Sequence, residues 1–212
     1  MINVYTDGSC INNGKPNARA GIGIYFRHED ERNFSQEIFE NPTNNVAELS
    51  AIIKSFSILK EDIKNNTEVN IYSDSQYSIN SFTTWGEGWY KNGWKKRDKK
   101  EIKNLDLIKK GYLLFKKYNN VKLIHIKAHT NKLDVHSVGN ENADKLANLA
   151  IGHSACPYNF NNVEKVDNYI FTFGKYKNKD IHHVKEHDIQ YLKWCIKNLS
   201  NKNIVNILKQ FV

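Results

Sequence analysis

The twenty residues NPTNNVAELSAIIKSFSILK do most to limit what this chain can fold into. Val46, Leu49, Ile52, Ile53, Phe56 and Leu59 recur at helical spacing, with Thr43 or Asn44 in place to cap the helix. Three strand-like stretches precede that helix: Ile2–Ser9, Ala20–Arg27 and Phe34–Phe39, the first two joined by the turn-rich INNGKPNA. After it come a short apolar strand over Val69–Ser73, a helix over Gln76–Phe82 and helical periodicity from Asn104. A strand over Val121–Lys127 follows, then a helix over Asn140–Ile151 with Ala143, Leu146, Ala147 and Ala150 along one face. This order predicts an α/β fold, a five-stranded mixed sheet with helices packed on it.

At 212 residues the chain has room for one sizeable domain and a small appendage. The polar CPYNFNNVEKVDN, with Pro157, reads as a linker and divides the chain into a main domain over 1–152, a linker over 153–168 and a module over 169–212. That last part reads as a hairpin followed by one or two helices, too short to hold a strong core alone. The formal net charge of +8 favours a polyanionic partner. Cys10, Cys156 and Cys195 are odd in number and form no CxxC pair, which argues against a disulfide framework or a cysteine zinc site and fits a reducing compartment. MINVYTDGSC contains no basic-then-apolar leader and no apolar run reaches membrane-spanning length, so an intracellular protein with no membrane partner is expected.

Four acids fall where α/β folds gather site residues. Asp7 lies near the end of the first strand, Glu48 near the start of the first helix, Asp74 at the end of VNIYSD, and Asp144 in the first turn of the last helix of the main domain. Brought together, four carboxylates repel one another unless something compensates them. A pair of divalent cations preferring hard oxygen ligands, most naturally Mg²⁺ with Mn²⁺ as a substitute, would do so and would suit phosphodiester hydrolysis.

The blocks YTDGSC, TNNVAELSAI, YSDSQY and KAHT followed by GNENADKLA resemble, in order and over Met1 to Gly152, the motifs of the type 1 ribonuclease H (RNase HI) family. The resemblance implies a ribonuclease H-like fold. It also implies a two-metal endonuclease that cuts the RNA strand of an RNA/DNA hybrid and leaves 5′-phosphate and 3′-hydroxyl ends. By the same resemblance Asp7 would bridge both ions, Glu48 and Asp74 would serve the leaving-group side, and Asp144 would serve the side where water is activated. His129, in KAHT, matches the family's mobile histidine. Because LDVHS lengthens the loop before GNENAD, His136 is the alternative. Asn44, Asn45 and Gln76 match positions that sense the 2′-hydroxyl, with Ser9 and the backbone at Gly8 close to the RNA. Thr43 and Asn104 match positions that grip a DNA-strand phosphate.

Over 85–118 the chain resembles the basic protrusion of part of the family. There Trp85, Trp89 and Trp94 alternate with Lys91, Lys95, Lys96, Arg97, Lys99 and Lys100, cations for phosphates and flat rings for sugars and bases. A monomer without a small-molecule cofactor is expected. Two other readings use the same fold: a catalytically silent hybrid-binding module, and a junction resolvase or integrase-like nuclease. The intact set of acids weighs against the first, and the TNN and SDSQY blocks against the second.

The tail FTFGKYKNKDIHHV, then DIQYLKW, is similar to a module appended to exonucleases of the exodeoxyribonuclease X type. Lys175, Lys177 and Lys179 suit phosphate contact and Tyr176 suits stacking on a base. The alternative is a hairpin that buries Phe171 and Phe173 against Trp194. His182, His183 and His187 cluster in sequence without the cysteine partners of a usual metal site.

Overall fold

In a computed structural model, described for residues 1–96, 98, 100–128, 134–152, 169–171, 174–199, 205, 208, 209, 211 and 212, strand β1 (Ile2–Ile11) runs through the middle of the fold. Val4 to Gly8 are buried in succession, the pattern of a strand covered on both faces. β1 pairs antiparallel with β2 (Arg19–Tyr25), which pairs antiparallel with β3 (Phe34–Ile38). On its other side β1 pairs parallel with β4 (Val69–Ser73), and β4 pairs parallel with β5 (Val121–His125). The sheet order is therefore β3-β2-β1-β4-β5, a mixed five-stranded sheet as the sequence predicts.

One face carries α1 (Asn44–Ile58), whose first turn is capped by the Thr43 hydroxyl accepting from the Val46 amide at 3.2 Å. Its stripe of Leu49, Ile52, Ile53 and Phe56 meets Val4, Ile24 and Ile71 of the sheet, and Ile108 of α5 (Leu105–Lys117), in the main core. The short helices α2 (Lys60–Lys64), α3 (Gln76–Phe82) and α4 (Thr84–Lys91) complete that side. A hydrogen bond from the Tyr112 hydroxyl to the Glu87 carboxylate ties α4 to α5.

The other face carries α6 (Val135–Ala150), which approaches so closely that a Cβ on Gly23 would collide with the carbonyl of Ala143. Ala143 and Ala147 are small enough to sit in that gap, and Gly139 lies on the ring of Tyr5. The sequence predicted this helix to begin at Asn140, but it begins at Val135. The Asp134 carboxylate caps it, accepting from the amides of His136 and Ser137 at 3.0 and 3.1 Å. VHSVG offers no apolar stripe, so capping rather than periodicity sets the start. Two corrections follow: Asp144 lies well inside the helix rather than in its first turn, and the DVHS that seemed to lengthen a loop forms the cap and first turn.

The chain divides into two compact units, Met1–Pro157 and Tyr158–Val212. The predicted linker, 153–168, lies outside the described residues. In the second unit α7 (Ile181–His187) and α8 (Ile189–Asn198) pack around Phe171, Ile181, Val184, Leu192, Cys195 and Leu208. Among the described residues the predicted hairpin is reduced to one antiparallel bridge, Ile170 to Asp180, closed over a turn with Gly174 at φ +67°. Phe171 is fully buried, but Trp194 keeps 55% of its surface exposed and does not cover it, and Phe173 lies outside the described residues. No helix among the described residues is long and apolar enough to cross a membrane.

The close seat of α6 makes a test. Gly23→Ala should destabilise the protein by about 2 kcal/mol or more, because the obstacle is helix backbone rather than a flexible side chain. Gly88→Ala, inside α4 with open space around it, should be stabilising by about 0.5–1 kcal/mol in the same urea titration.

Candidate active site

Alternation along β1 sends Tyr5, Asp7 and Ser9 toward α6 and Val4, Thr6 and Gly8 toward α1. A side chain at Gly8 would put its Cβ 2.7 Å from the Ala47 Cβ, so only glycine lets the start of α1 lie directly on the strand. That seat brings Glu48 against Asp7. In the parallel β1/β4 pair Tyr5 stands opposite Tyr72. Asp7 and Asp74 each follow two residues later, so they reach the same edge of the sheet. Carboxylate oxygens of Asp7, Glu48 and Asp74 all lie within 4.8 Å of one another.

Asp7 and Glu48 are both buried. Burial, then the charges of Glu48, Asp74 and Asp144, pushes the Asp7 carboxyl well above the usual carboxylate range. The Gly8 amide, donating to Asp7 Oδ1 at 2.8 Å, offsets only part of this. Glu48 is pushed up in the same way, first by burial and then by Asp74, while its hydrogen bond with Asp7 pulls the other way. Asp144 stands outside the tight trio, yet its charge raises both.

Buried Glu48 Oε2 has no hydrogen-bond partner. A convergent set of carboxylate oxygens with one orphaned lone-pair bearer fits a hard divalent cation, which would supply the missing positive charge.

Two asparagines that sequence reasoning missed hold this arrangement from α6. Asn140, 3% exposed, donates through Nδ2 to Asp74 Oδ2 at 2.9 Å. Asn148 donates to Asp144 Oδ1 at 2.8 Å and accepts from the Ser9 hydroxyl at 2.7 Å. Asn140, Asp144 and Asn148 stand four residues apart and share one helix face. That spacing is visible in the sequence once the helix is started at Val135.

The remaining predicted residues divide by their surroundings. Thr43 is engaged as the α1 cap, the Asn44 amide donates to Asn13 Oδ1 at 3.3 Å, and Asn45 is exposed beside it. Gln76 Nε2 donates to Asn80 Oδ1 at 2.9 Å, and Asn104, at φ +57°, donates to the Tyr77 hydroxyl at 3.3 Å. Lys95 and Lys96 line a groove of about 720 Å³ with Trp85 and Trp89, while Trp94 packs edge-on against Tyr90 and Tyr112. His129, Arg97 and Lys99 lie outside the described residues. His136, its ring 4.5 Å from that of Tyr72, has Nδ1 3.2 Å from the Tyr5 hydroxyl, in an aromatic stack behind the acids. Burial of that stack raises the Tyr5 phenol to about 12, so it remains a hydrogen-bond donor at neutral pH.

A β3-β2-β1-β4-β5 sheet with acids gathered at one edge is the arrangement that the ribonuclease H resemblance implies. Residues 1–152 match the family described as RNase H, and residues 171–200 match one described as Exodeoxyribonuclease X-like C-terminal. A ribonuclease H of Clostridium botulinum is 37% identical over 149 residues, spanning 70% of this chain and 93% of that protein. The solution structure of the PFV RNase H domain superposes with a TM-score of 0.54 at 27% identity, covering 70% of this chain and 93% of that one. The foamy viral protease-reverse transcriptase in complex with RNA/DNA hybrid gives a TM-score of 0.56 at 25% identity, over 70% of this chain and 20% of that one. The chain belongs to the ribonuclease H family.

The raised carboxyls set a stability test. An acid that binds its proton more tightly in the folded state stabilises the fold below the ordinary carboxylate range and loses that contribution as pH rises through its raised value. In chelator, stability should therefore decline as pH climbs above about 4. Glu48→Gln should melt higher than wild type at neutral pH, by on the order of 1–3 kcal/mol. Mg²⁺ should raise the wild-type melting temperature more than the variant's. A variant that melts lower than wild type in chelator would contradict the repulsion.

Proposed function

We propose that the clustered acids form a two-cation site at which this ribonuclease H, an RNA/DNA-hybrid endoribonuclease, hydrolyses the RNA strand and leaves 5′-phosphate and 3′-hydroxyl ends. The observation that carries the reading is the Asp7–Glu48–Asp74 trio, mutually within 4.8 Å, with Glu48 Oε2 buried and unpartnered. Bound there, Mg²⁺ would supply Lewis acidity at the scissile phosphate and lower the pKa of the attacking water.

The chain's own residues do the rest. Asp7, whose carboxyl is raised by the charges of Glu48, Asp74 and Asp144, would contribute to both cation positions. Glu48 and Asp74 would hold one position and Asp144 the other. Asn140 and Asn148 fix the rotamers of Asp74 and Asp144, so these ligands need not reorganise during turnover. Asn44, Asn45 and Gln76 flank the acids on the first turns of α1 and α3, where amides that both donate and accept suit a ribose 2′-hydroxyl. Gly8 anchors Asp7 through its backbone amide next to where the RNA would lie, and Ser9, through Asn148, links the strand to Asp144. The groove of Lys95, Lys96 and Trp89 suits a phosphate backbone, with Trp94 bracing it and Thr43 and Asn104 suited to the DNA strand. His129 would carry a proton or help release product near Asp144. A monomer that needs no small-molecule cofactor completes the proposal.

A labelled RNA/DNA hybrid, with duplex DNA and duplex RNA as controls, tests the reading. Wild type should cut only the RNA of the hybrid and only with a divalent cation. Asp74→Asn should lose about a hundredfold or more in turnover while keeping its fold by circular dichroism. Equal cutting of duplex DNA would point instead to a resolvase, and hybrid binding without cleavage to a silent module.

A further inference from the structure

The second unit carries a surface that the catalytic reading leaves unexplained. Residues 169–212 contain eight lysines against three acids. Two of those acids are already engaged: Asp180 caps α7 by accepting from the His183 amide at 2.9 Å, and Asp188 caps α8 by accepting from the Tyr191 amide at 3.0 Å. Asp188 also holds Lys175 at 3.0 Å. Among the described residues Lys193 and Lys197 make no ion pair, and both are exposed on α8.

Between these two lysines in sequence lies Trp194. It is 55% exposed and lies outside the small core of the unit, so burial does not account for it. Its ring lies nearly parallel to that of Tyr191, with centroids 6.1 Å apart and planes 22° apart. Tyr191 is braced from behind: Tyr176 and Phe171 pack on it at 5.1 and 5.9 Å, and its hydroxyl fills the space where a Gly174 side chain would stand. Tyr176, the residue the sequence suggested for stacking, donates instead to Asp188 at 3.1 Å and supports Tyr191. The outcome is a braced aromatic step with exposed cations on the same helix.

We propose that Trp194, backed by Tyr191 and flanked by Lys193 and Lys197, is a stacking site for single-stranded nucleic acid. An exposed indole gains by covering its face with another flat ring, and neighbouring ammonium groups take up phosphates. Bases inside a duplex have both faces covered, so the step accepts an unpaired nucleotide and not the interior of a hybrid. The site would hold single strand while the first unit handles the duplex.

Binding of a labelled oligothymidine to the full chain in chelator tests this apart from catalysis. Trp194→Ala should weaken binding roughly five- to hundredfold, and Trp194→Phe, which keeps a ring, should stay within about threefold of wild type. Lys193→Glu with Lys197→Glu should lower the salt dependence of binding. Cleavage of a blunt-ended hybrid should be unchanged in all three. Equal oligothymidine affinity in wild type and Trp194→Ala would overturn the proposal. So would a wild-type dimer that becomes monomeric in Trp194→Ala with oligothymidine binding unchanged, which would mark the face as a contact between copies of the chain.

Discussion

The arrangement rests on like charges held together by packing. Two helices press on β1 from opposite faces, and each can do so because glycine stands where any side chain would intrude: Gly8 under α1, Gly23 on β2 under α6. Those approaches put Glu48 against Asp7 and carry Asp144 to within electrostatic reach of both. The apolar clusters on either face of the sheet provide the stabilisation that keeps buried acids where water would otherwise separate them. Such a cluster is costly as a free protein and favourable once a cation enters, which is how a fold turns packing into metal affinity.

Helix α6 does more than carry Asp144. Its Asn140–Asp144–Asn148 face reaches Asp74 beyond β4 at one end and Ser9 on β1 at the other. Asn140 uses its donor on Asp74 while its buried Oδ1 has no partner. Its one side-chain hydrogen bond is thus the one that orients Asp74. His136, on the first turn of the same helix, packs with Tyr5 of β1 and Tyr72 of β4.

Much of this was legible in the sequence. The stripe from Val46 to Leu59 gave α1 and its cap, because an amphipathic helix records its buried face in its spacing. The four acids stood out because each sits at a strand end or beside a helix stripe. The start of α6 was not legible, since Asp134 sets it by hydrogen bonds that leave no hydrophobic period, and with it went the asparagines at positions 140 and 148. The alternative that set Phe171 against Trp194 fails for the opposite reason: aromatic residues are strong core signals, and nothing in the spacing YLKW says that Leu192 turns inward while the tryptophan faces water.

The sheet edge at Asp7 is proposed as a divalent-cation site. Anomalous scattering from crystals of the full chain grown with Mn²⁺ tests it most directly. Peaks within coordinating distance of Asp7 and shared among Glu48, Asp74 and Asp144 are the predicted result. A map with Mn²⁺ bound elsewhere on the protein, and none among these four carboxylates, would contradict it.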